Sequence, residues 1–406
     1  MADTGDFSMR KTIDSIVEKR KAKASKIFLT GGTGLVGSFL AVELLRRGYF
    51  VIILCRPTNK FSAPERIGQI LSWHNYSGNN FEVVSGQITE DRFGINDEQY
   101  MYLLENVDEI WHCAADTTFS EKKRKQSEAV NIQGTLNVLK QATESNCYFF
   151  HFVSTAYVTG KRHGTCKEES EIQTEFHNVN EETKYKAEKM VIETCRKEGI
   201  RANIYRPSTI YGDSISGKSL QFKAFYVPVQ TIHFLKNTLE SDFNENNGVN
   251  AKKLGVIREG EQLHFTFRIG TVEGSSLDLV PIDFVCTQCM AIMESSLEGD
   301  IFHVVGGKPS TLGELIGFIE RFFNIKGLRA APDKEFTYQP ETALETLGYS
   351  FIDVYRPHLS DTRIFENRKS AKISEKYNIA CPPFDFDIFS KCVDYAIKVG
   401  WGKKWK

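Results

Sequence analysis

The chain has 406 residues, of which 41% are hydrophobic and 25% charged, and its formal net charge at pH 7 is −1. This composition is typical of a globular protein, and the near-neutral charge excludes bulk attraction to nucleic acid or to an anionic membrane. Nine cysteines scattered along a long chain favour a reducing, cytoplasmic location over a disulfide framework. Neither a transmembrane span nor a secretory signal is expected, because no apolar run has the required length.

Residues 1–25 are predicted to form a polar tail and a basic amphipathic helix. Ile13 and Ile16 lie on the apolar side of this helix. Docking of that side on the following domain is the favoured interpretation. Peripheral contact with a membrane surface, or with a partner protein, is the alternative.

The segment Lys26–Gly37, KIFLTGGTGLVG, is the most informative in the chain. A short apolar strand runs into a glycine-rich turn and then into a helical pattern, which is typical of a dinucleotide-binding turn. Gly31 permits the tight turn, Gly34 lets backbone approach a pyrophosphate, and Gly37 lets the helix pack on the strand. The N–H groups at the start of the helix attract phosphate. The predicted cofactor contacts in this segment are Thr30, Gly31, Thr33, Gly34, Leu35, Val36 and Gly37.

Strands and helices are predicted to alternate after this turn. The strands are expected at residues 49–57, 81–88, 109–115, 147–158 and 201–207, with helices at 127–145 and 182–197. Strands that are apolar almost throughout indicate a parallel sheet covered on both faces. The predicted fold class is therefore α/β, a Rossmann-type doubly wound parallel sheet.

The alternation ends near Gly212. An apolar, aromatic segment follows at 222–235, a polar segment predicted to be a loop at 240–250, and an amphipathic helix at 311–323 with a Thr311/Glu314 capping box. We therefore predict a nucleotide-binding domain at 26–215 and a mainly substrate-binding cap at 216–406, with residues 278–305 returning to the first domain. The aromatic segment is expected either to line an acyl pocket or to form the core of the cap.

Cys286 and Cys289 form a CxxC pair inside an apolar, helical pattern. A zinc site would need a second pair of ligands at suitable spacing, and the sequence offers none nearby. We therefore predict that both cysteines pack in the core and that the protein has no metal site.

The end of the second predicted strand indicates which nicotinamide cofactor is used. An acidic residue there would bind the adenosine ribose of NAD, but this chain has Arg56. A guanidinium at that point suits a 2′-phosphate, which favours NADPH. Stacking of Arg56 on adenine is the alternative.

Tyr185 and Lys189 form a Y-x-x-x-K pattern on the helix predicted after the fifth strand. Their spacing places them on one face, where the lysine charge would lower the pKa of the phenol and let it act as a proton donor. Ser154 and Thr155 end the fifth strand, where a hydroxyl could help to hold an oxyanion.

The sequences TGGTGLVG, FVSTAYVTG and Y-x-x-x-K together resemble the extended short-chain dehydrogenase/reductase superfamily. The segments HCAADTTF, NIQGTLNVL, IYRPSTIYGDSISG and LVPIDFV are similar to its fatty acyl-CoA reductase and carrier-protein thioester reductase branch, the male sterility type. The matching segments keep the order of that branch between Lys26 and Phe323. Residues 356–373 resemble the tail of acyl reductases only weakly.

The resemblance implies reduction of an acyl thioester by NADPH to an aldehyde, with further reduction to an alcohol as an extension. It implies Thr155 as the catalytic hydroxyl, Tyr185 as the proton donor and Lys189 as its partner and a ribose contact. Gln87 stands where the branch usually has an acid, so adenine binding would differ. The further cofactor contacts that it implies are Arg56, Gln87, Ile88, Ala114, Ala115, Pro207 and Ser208.

Several alternatives remain open at this stage. The acyl donor is expected on coenzyme A or on an acyl or peptidyl carrier protein supplied in trans. Lys161 and Arg162 could meet its phosphate, but a solvated basic turn is the favoured interpretation of these two residues. The second hypothesis for the function is a reductase or epimerase of the same superfamily that acts on a ketone or nucleotide sugar. The third hypothesis is a protein that senses NADP(H) and catalyses no reaction.

Overall fold

A computed structural model describes residues 13–332 and 339–405. Its strands are β1 (Lys26–Thr30), β2 (Phe50–Cys55), β3 (Phe81–Ser85), β4 (Glu109–His112), β5 (Phe149–Val153), β6 (Gly164–Cys166), β7 (Arg201–Pro207), β8 (Thr209–Tyr211), β9 (Ile257–Glu259), β10 (Gln262–Thr271), β11 (Leu279–Pro281), β12 (Ile301–Val304), β13 (Ile325–Pro332) and β14 (Arg363–Phe365).

The α-helices are α1 (Ile13–Lys21), α2 (Leu35–Arg46), α3 (Ala63–Trp73), α4 (Asp97–Asn106), α5 (Arg124–Glu128), α6 (Gly134–Glu144), α7 (Val179–Lys197), α8 (Tyr226–Asn246), α9 (Val249–Lys253), α10 (Ile282–Ser295), α11 (Leu312–Phe323), α12 (Ala343–Ile352), α13 (Arg356–Leu359), α14 (Arg368–Tyr377) and α15 (Phe386–Lys398). Short 3₁₀ turns lie at Asp91–Gly94, Glu121–Lys123, Ala156–Thr159, Asp353–Tyr355 and Gly400–Trp405, and a π-helical turn at Ala129–Gln133.

Seven strands form the central sheet, in the order β12-β7-β5-β4-β1-β2-β3. Every neighbouring pair in it is parallel. The prediction of a doubly wound parallel sheet is therefore confirmed. The chain leaves β1 toward β2 and later returns to the other side of β1 as β4, so a crevice opens between them at the carboxyl ends of the strands.

Two apolar layers cover the sheet. Side chains of α2, α3 and α10 pack on one face, and those of α4, α6 and α7 pack on the other. Cys286 and Cys289 are buried in the first layer, and all nine cysteines are free thiols. Burial raises the pKa of both thiols well above the usual range, as expected for packing residues.

The predicted N-terminal helix corresponds in part to α1, while residues 1–12 of the predicted tail and helix lie outside the described residues. Ile16 is buried against Tyr148 and Phe149. Arg20, also buried, donates two hydrogen bonds to the Glu109 carboxylate at 3.0 and 2.7 Å. The described part of the helix is thus docked on the amino-terminal edge of the sheet.

The region after β8 forms a second core from α8, α11, α15 and the small sheet β13-β10-β9. The predicted capping box of α11 is present, with Thr311 and Glu314 bonded in both directions. Within this region the chain also returns to the central sheet. Strand β11 pairs with β8, helix α10 packs on the central sheet, and β12 joins the edge of that sheet beside β7. Across the described ranges, each helix is too short or too polar to span a membrane.

The prediction of a loop at residues 240–250 is wrong. Helix α8 continues to Asn246, and α9 begins at Val249. Asn247 and Gly248 join the two with positive φ angles of 53° and 71°. The Asp242 carboxylate accepts the backbone N–H groups of Asn250 and Ala251 at 2.8 and 2.9 Å, so polar residues that suggested a loop instead cap the next helix.

Candidate active site

A cavity of about 900 Å³ lies at the carboxyl ends of the central strands. It runs from the turn after β1, past the ends of β4 and β5, to the loop after β7. Residues from α7, from the segment before α8 and from the C-terminal region complete its wall. One continuous space therefore connects the glycine turn with the predicted chemical end.

The glycine turn has the close packing that its sequence predicts. Gly31 has φ of +81°, and a Cβ there would lie 2.5 Å from the backbone nitrogen of Ala114. A Cβ on Gly37 would lie 2.3 Å from the carbonyl oxygen of Gly31. Gly34 is the N-cap of α2 and offers no capping side chain, so the first N–H groups of that helix are free to meet an anion. These features fit a dinucleotide pyrophosphate.

Two arginines stand at the adenosine end of the cavity. Arg56 lines this end, and so does Arg66 from the first turn of α3. The Arg66 guanidinium donates to the carbonyl oxygen of Arg56 at 2.6 Å and to the Thr33 hydroxyl at 3.5 Å. Sequence reasoning missed Arg66, although its place on the helix after the second strand could have suggested it. Gln87 and Ile88 also line this end.

The middle of the cavity is lined by Ala114, Ala115, Pro207 and Ser208, four of the predicted cofactor contacts. The Asn131 side chain, in the π-helical turn, accepts the N–H of Asp116 at 2.8 Å and donates to Thr183 of α7 at 2.9 Å. Asn131 therefore fixes the loop after β4 against α7. Of the predicted cofactor contacts, Thr30 does not reach the cavity: it is buried, and its hydroxyl lies 2.7 Å from Nδ1 of His112.

Thr155 and Ser154 both line the cavity. Among the residues that the structure describes, the Thr155 hydroxyl has only long contacts of 3.4 Å, accepting from the Tyr157 N–H and donating to the Pro207 carbonyl. The Ser154 hydroxyl instead donates to Glu188 at 2.5 Å, and Glu188 is held by a buried Arg206 at 2.5 Å. Thr155 is thus the hydroxyl that can turn toward a bound carbonyl, while Ser154 belongs to the supporting network.

Lys184 is the lysine that α7 brings to the cavity. Its ammonium group donates to the Val153 carbonyl at 2.7 Å and lies 4.1 Å from the centre of the Phe152 ring. Burial lowers the pKa of Lys184 to about 8, against the opposing effect of Glu188. Asn180, which lies four residues before Lys184 on the same face of α7, also lines the cavity.

Tyr185 and Lys189 are placed elsewhere, which corrects the expectation that this pair lies at the chemical end. The Tyr185 hydroxyl accepts the Gln173 N–H at 3.0 Å, and the Lys189 ammonium donates to Ser170 at 3.0 Å. Neither residue lines the cavity. The reason is helical geometry: consecutive residues of a helix differ by about 100° in direction, so Tyr185 cannot share the face of Lys184.

Four rings close the far end of the cavity, and we call them the aromatic pocket: Phe119, Tyr157, Tyr355 and His358. The His358 ring stacks on Phe119 with centroids 4.7 Å apart and meets Tyr157 edge-on at 4.8 Å. Sequence reasoning missed Tyr355 and His358, since they lie in a tail region whose resemblance was weak. They are brought here because β14 pairs with β6 and because Arg363 donates to the Gly160 carbonyl at 2.7 Å.

Among the described residues there is no group of three or more histidine, cysteine, aspartate or glutamate side chains arranged to hold a metal ion. Lys161 and Arg162 do not line the cavity, which agrees with the favoured interpretation of a solvated basic turn rather than a phosphate contact. Lys223 does line the cavity, at the end that we call its mouth, and its ammonium group donates to the Thr117 hydroxyl at 2.7 Å.

The model of the male sterility protein family matches residues 29–289, and the chain belongs to this family. The large subunit of L-2-aminoadipate reductase from Candida glabrata is 27% identical over 244 residues, which are 52% of this chain and 18% of that protein. The chain thus spans less than a fifth of the length of that relative.

Two solved structures share the fold. The terminal R domain from the myxalamid PKS-NRPS biosynthetic pathway has a TM-score of 0.72 at 21% identity, covering 96% of this chain and 99% of that one. A thiolation-reductase di-domain from an archaeal non-ribosomal peptide synthetase has a TM-score of 0.66 at 17% identity, covering 96% and 81%. These two structures confirm the predicted short-chain dehydrogenase/reductase type of fold. The family match and the reductase relative confirm NAD(P) binding and the predicted enzyme class, an oxidoreductase.

Proposed function

We propose that the protein uses NADPH to reduce an acyl thioester to an aldehyde, with release of the thiol, and that the aldehyde can be reduced further to the alcohol. The observation that carries this proposal is the single cavity that joins the glycine turn to Thr155 and Lys184. The aminoadipate reductase relative and the reductase domain structures support thioester chemistry over the ketone and sugar alternatives.

The choice of NADPH rests on Arg56 and Arg66. Both guanidinium groups line the adenosine end, and no acidic side chain lines that end among the described residues. Two positive charges at this end suit a 2′-phosphate, whereas a ribose diol needs an acceptor.

At the chemical end, the bound nicotinamide supplies the hydride. The Thr155 hydroxyl donates a hydrogen bond to the thioester carbonyl oxygen, and the Lys184 ammonium stabilises the negative charge that grows there. Lys184 then delivers a proton to this oxygen, giving a hemithioacetal. Its collapse breaks the carbon–sulfur bond and releases aldehyde and thiol. Because Asn180 stands where the Y-x-x-x-K pattern has its phenol, we assign the proton to Lys184 rather than to a tyrosine.

The acyl donor is best explained as a phosphopantetheine thioester on a carrier protein. Lys223 lines the cavity. Burial lowers the pKa of Lys223, the charge of Asp116 opposes this, and Lys123 lies close enough to add a smaller lowering effect. Lys122, Lys123 and Lys125 are exposed beside it, on the segment that contributes Gln126 to the cavity wall. Such a cluster of lysines suits the phosphate and the acidic surface of a carrier. The di-domain structure supports this source over coenzyme A.

The decisive experiment measures NADPH oxidation with acyl-coenzyme A and with acyl-carrier thioesters, while free thiol is assayed in parallel. Equimolar thiol and oxidised NADPH would establish reduction to the aldehyde, and a ratio of one thiol to two NADPH would indicate the alcohol. Oxidation without thiol release would replace the proposal by ketone reduction. Cofactor binding without turnover on any substrate would favour the sensing alternative.

A further inference from the structure

Glu188 is a buried carboxylate of α7, only 2% exposed, and it does not line the cavity. The Ser154 hydroxyl donates to its Oε2 at 2.5 Å, and the Arg206 guanidinium donates to Oε1 at 2.5 Å and to Oε2 at 3.1 Å. The same guanidinium lies 3.5 Å from Nε2 of His303, whose pKa is lowered by burial to about 4. Because arginine stays charged and binds carboxylates at two points, Glu188 has a fixed position and a fixed partner.

The bonds of Glu188 and Lys184 join α7 to consecutive residues at the end of β5. The Lys184 ammonium donates to the Val153 carbonyl at 2.7 Å, and the Ser154 hydroxyl donates to Glu188. Residues four apart lie on one face of a helix, so both bonds hold the same face of α7. Thr155 follows Ser154 in the chain. The Glu188 network therefore fixes Lys184 relative to the hydroxyl that we assign to the carbonyl.

The charges around Lys184 show what else Glu188 does. Burial lowers the pKa of Lys184, and the negative charge of Glu188 opposes this more strongly than Cys113 does. At the end of β4, burial lowers the pKa of His112 to about 3 and raises that of the Cys113 thiol to about 12, so both groups are uncharged at neutral pH. The Phe152 ring adds a cation–π contact at 4.1 Å. Glu188 therefore supplies the negative charge that stabilises the ammonium group.

We propose that Glu188 is a positioning residue whose carboxylate keeps the Lys184 side chain protonated and in place, while Ser154 and Arg206 hold that carboxylate. The inference rests on the proposed function only for the use to which the proton is put. A buried lysine without a carboxylate beside it can lose its proton below neutral pH. Removal of the Glu188 charge should thus deplete the protonated lysine at the pH where a proton donor is needed.

The proton affinity of Lys184 can be measured without turnover. In the full chain, with lysine labelled by ¹³C at the ε-carbon, the Lys184 signal is identified by its loss in Lys184→Met and is followed by NMR as the pH is raised. The wild-type midpoint is expected at about 8. We expect Glu188→Gln to lower this midpoint by about one pH unit or more, a tenfold or greater fall in proton affinity. The matched control is Glu193→Gln, which removes an exposed carboxylate from the same helix and should leave the midpoint unchanged.

A second variant removes both partners of the ion pair. Glu188→Gln alone leaves the Arg206 charge buried and unpaired, which costs stability, whereas Glu188→Gln combined with Arg206→Met keeps the net charge of the wild type. The midpoint should fall in this double variant too, because the carboxylate that faces Lys184 is again lost. A midpoint equal to that of the wild type, in the single or the double variant, overturns the inference.

The titration is independent of the proposed function, because it needs no substrate. If the protein releases no thiol from any thioester, the proposed function fails and the NMR midpoints still decide the role of Glu188. If thiol is released, the fall of kcat at alkaline pH should move to lower pH in Glu188→Gln by the same amount as the midpoint. A loss of activity that is equal at every pH, with no shift of this fall, would show that Glu188 only supports the fold and would overturn the inference.

Discussion

Lys184 and Tyr185 are neighbours in the chain but face different environments. The Lys184 ammonium lies in the cavity, 2.7 Å from the Val153 carbonyl oxygen. The Tyr185 hydroxyl lies outside it, 3.0 Å from the Gln173 nitrogen, and its ring contacts Phe176 at 5.2 Å. Tyr185 thus holds the segment before α7 in place, while Lys184 is available to a substrate.

Separate substitution of Lys184 and of Tyr185 should show which of the two side chains takes part in the reaction. We expect Lys184→Met to lower kcat for NADPH-dependent thiol release by about a hundredfold or more, since general acid catalysis is worth that much. Tyr185→Phe should retain most of the activity, because its hydroxyl only supports a loop. The reverse pattern, with Tyr185→Phe inactive and Lys184→Met active, would restore the original assignment of the tyrosine.

The pH dependence of the reaction should report the same lysine. With its pKa lowered to about 8 by burial, Lys184 is protonated below that pH and loses its proton above it. A proton donor works in its protonated form, so kcat should fall as the pH rises through about 8. A profile of kcat against pH checks this prediction, and the fall in kcat at alkaline pH should be absent in Lys184→Met. Activity that stays level up to the usual pKa of a lysine would contradict the assignment.

The face of α7 shows what could and could not be read from the sequence. The glycine turn, the parallel strands and the strand-end hydroxyls of Ser154 and Thr155 follow from local patterns, because each lies within one strand–turn–helix unit. Two pairs on α7 have the same spacing, however, Asn180 with Lys184 and Tyr185 with Lys189. Only the packing of α7 on β5 decides which pair faces the cavity.

Local sequence patterns also could not predict the residues that reach the site through contacts between distant parts of the chain. Tyr355 and His358 lie far along the chain from β5, and their position depends on the pairing of β14 with β6. No periodicity marks such a contact. Arg66 was closer to prediction, since it follows Arg56 on the next helix, but its direction depends on how α3 packs against β2.

Cofactor selection should depend on both arginines. We expect Arg56→Gln and Arg66→Gln each to weaken NADPH binding by about tenfold through loss of a charged phosphate contact, and to leave NADH affinity nearly unchanged. Fluorescence titration with the two cofactors measures the difference. If neither substitution changes the ratio of the two affinities, the 2′-phosphate site is elsewhere or NADH is the natural cofactor.

The lysines at the cavity mouth should affect carrier-bound substrates in a salt-dependent way. Lys123→Glu is expected to raise KM for an acyl-carrier thioester by about threefold to tenfold at low salt, with less effect at high salt. Lys197→Glu is the matched control, because Lys197 is 83% exposed on the far end of α7. A simple pantetheine thioester should respond to neither change. Equal responses to both charge reversals would indicate a nonspecific effect of net charge.

The N-terminal helix should contribute to stability through one buried ion pair. Arg20 and Glu109 are 5% and 0% exposed. Although burial of Glu109 opposes ionisation, the charge of Arg20 and hydrogen bonds from His151 and Arg20 keep the carboxyl pKa well below its usual range. Arg20→Met would leave the buried Glu109 without its cationic partner, so we expect a loss of about 3–5 kcal/mol in the free energy of unfolding.

The neighbouring pair of Lys19 and Asp108 provides the control for this prediction. Lys19 is 35% exposed, and its ammonium lies 2.6 Å from the Asp108 carboxylate. Lys19→Met should therefore cost less than about 1 kcal/mol, because solvent screens a partly exposed pair. Urea unfolding of both variants measures the difference. Equal stability of Arg20→Met and the wild type would show that α1 is not held by this pair, and would leave its basic surface available for a membrane or a partner.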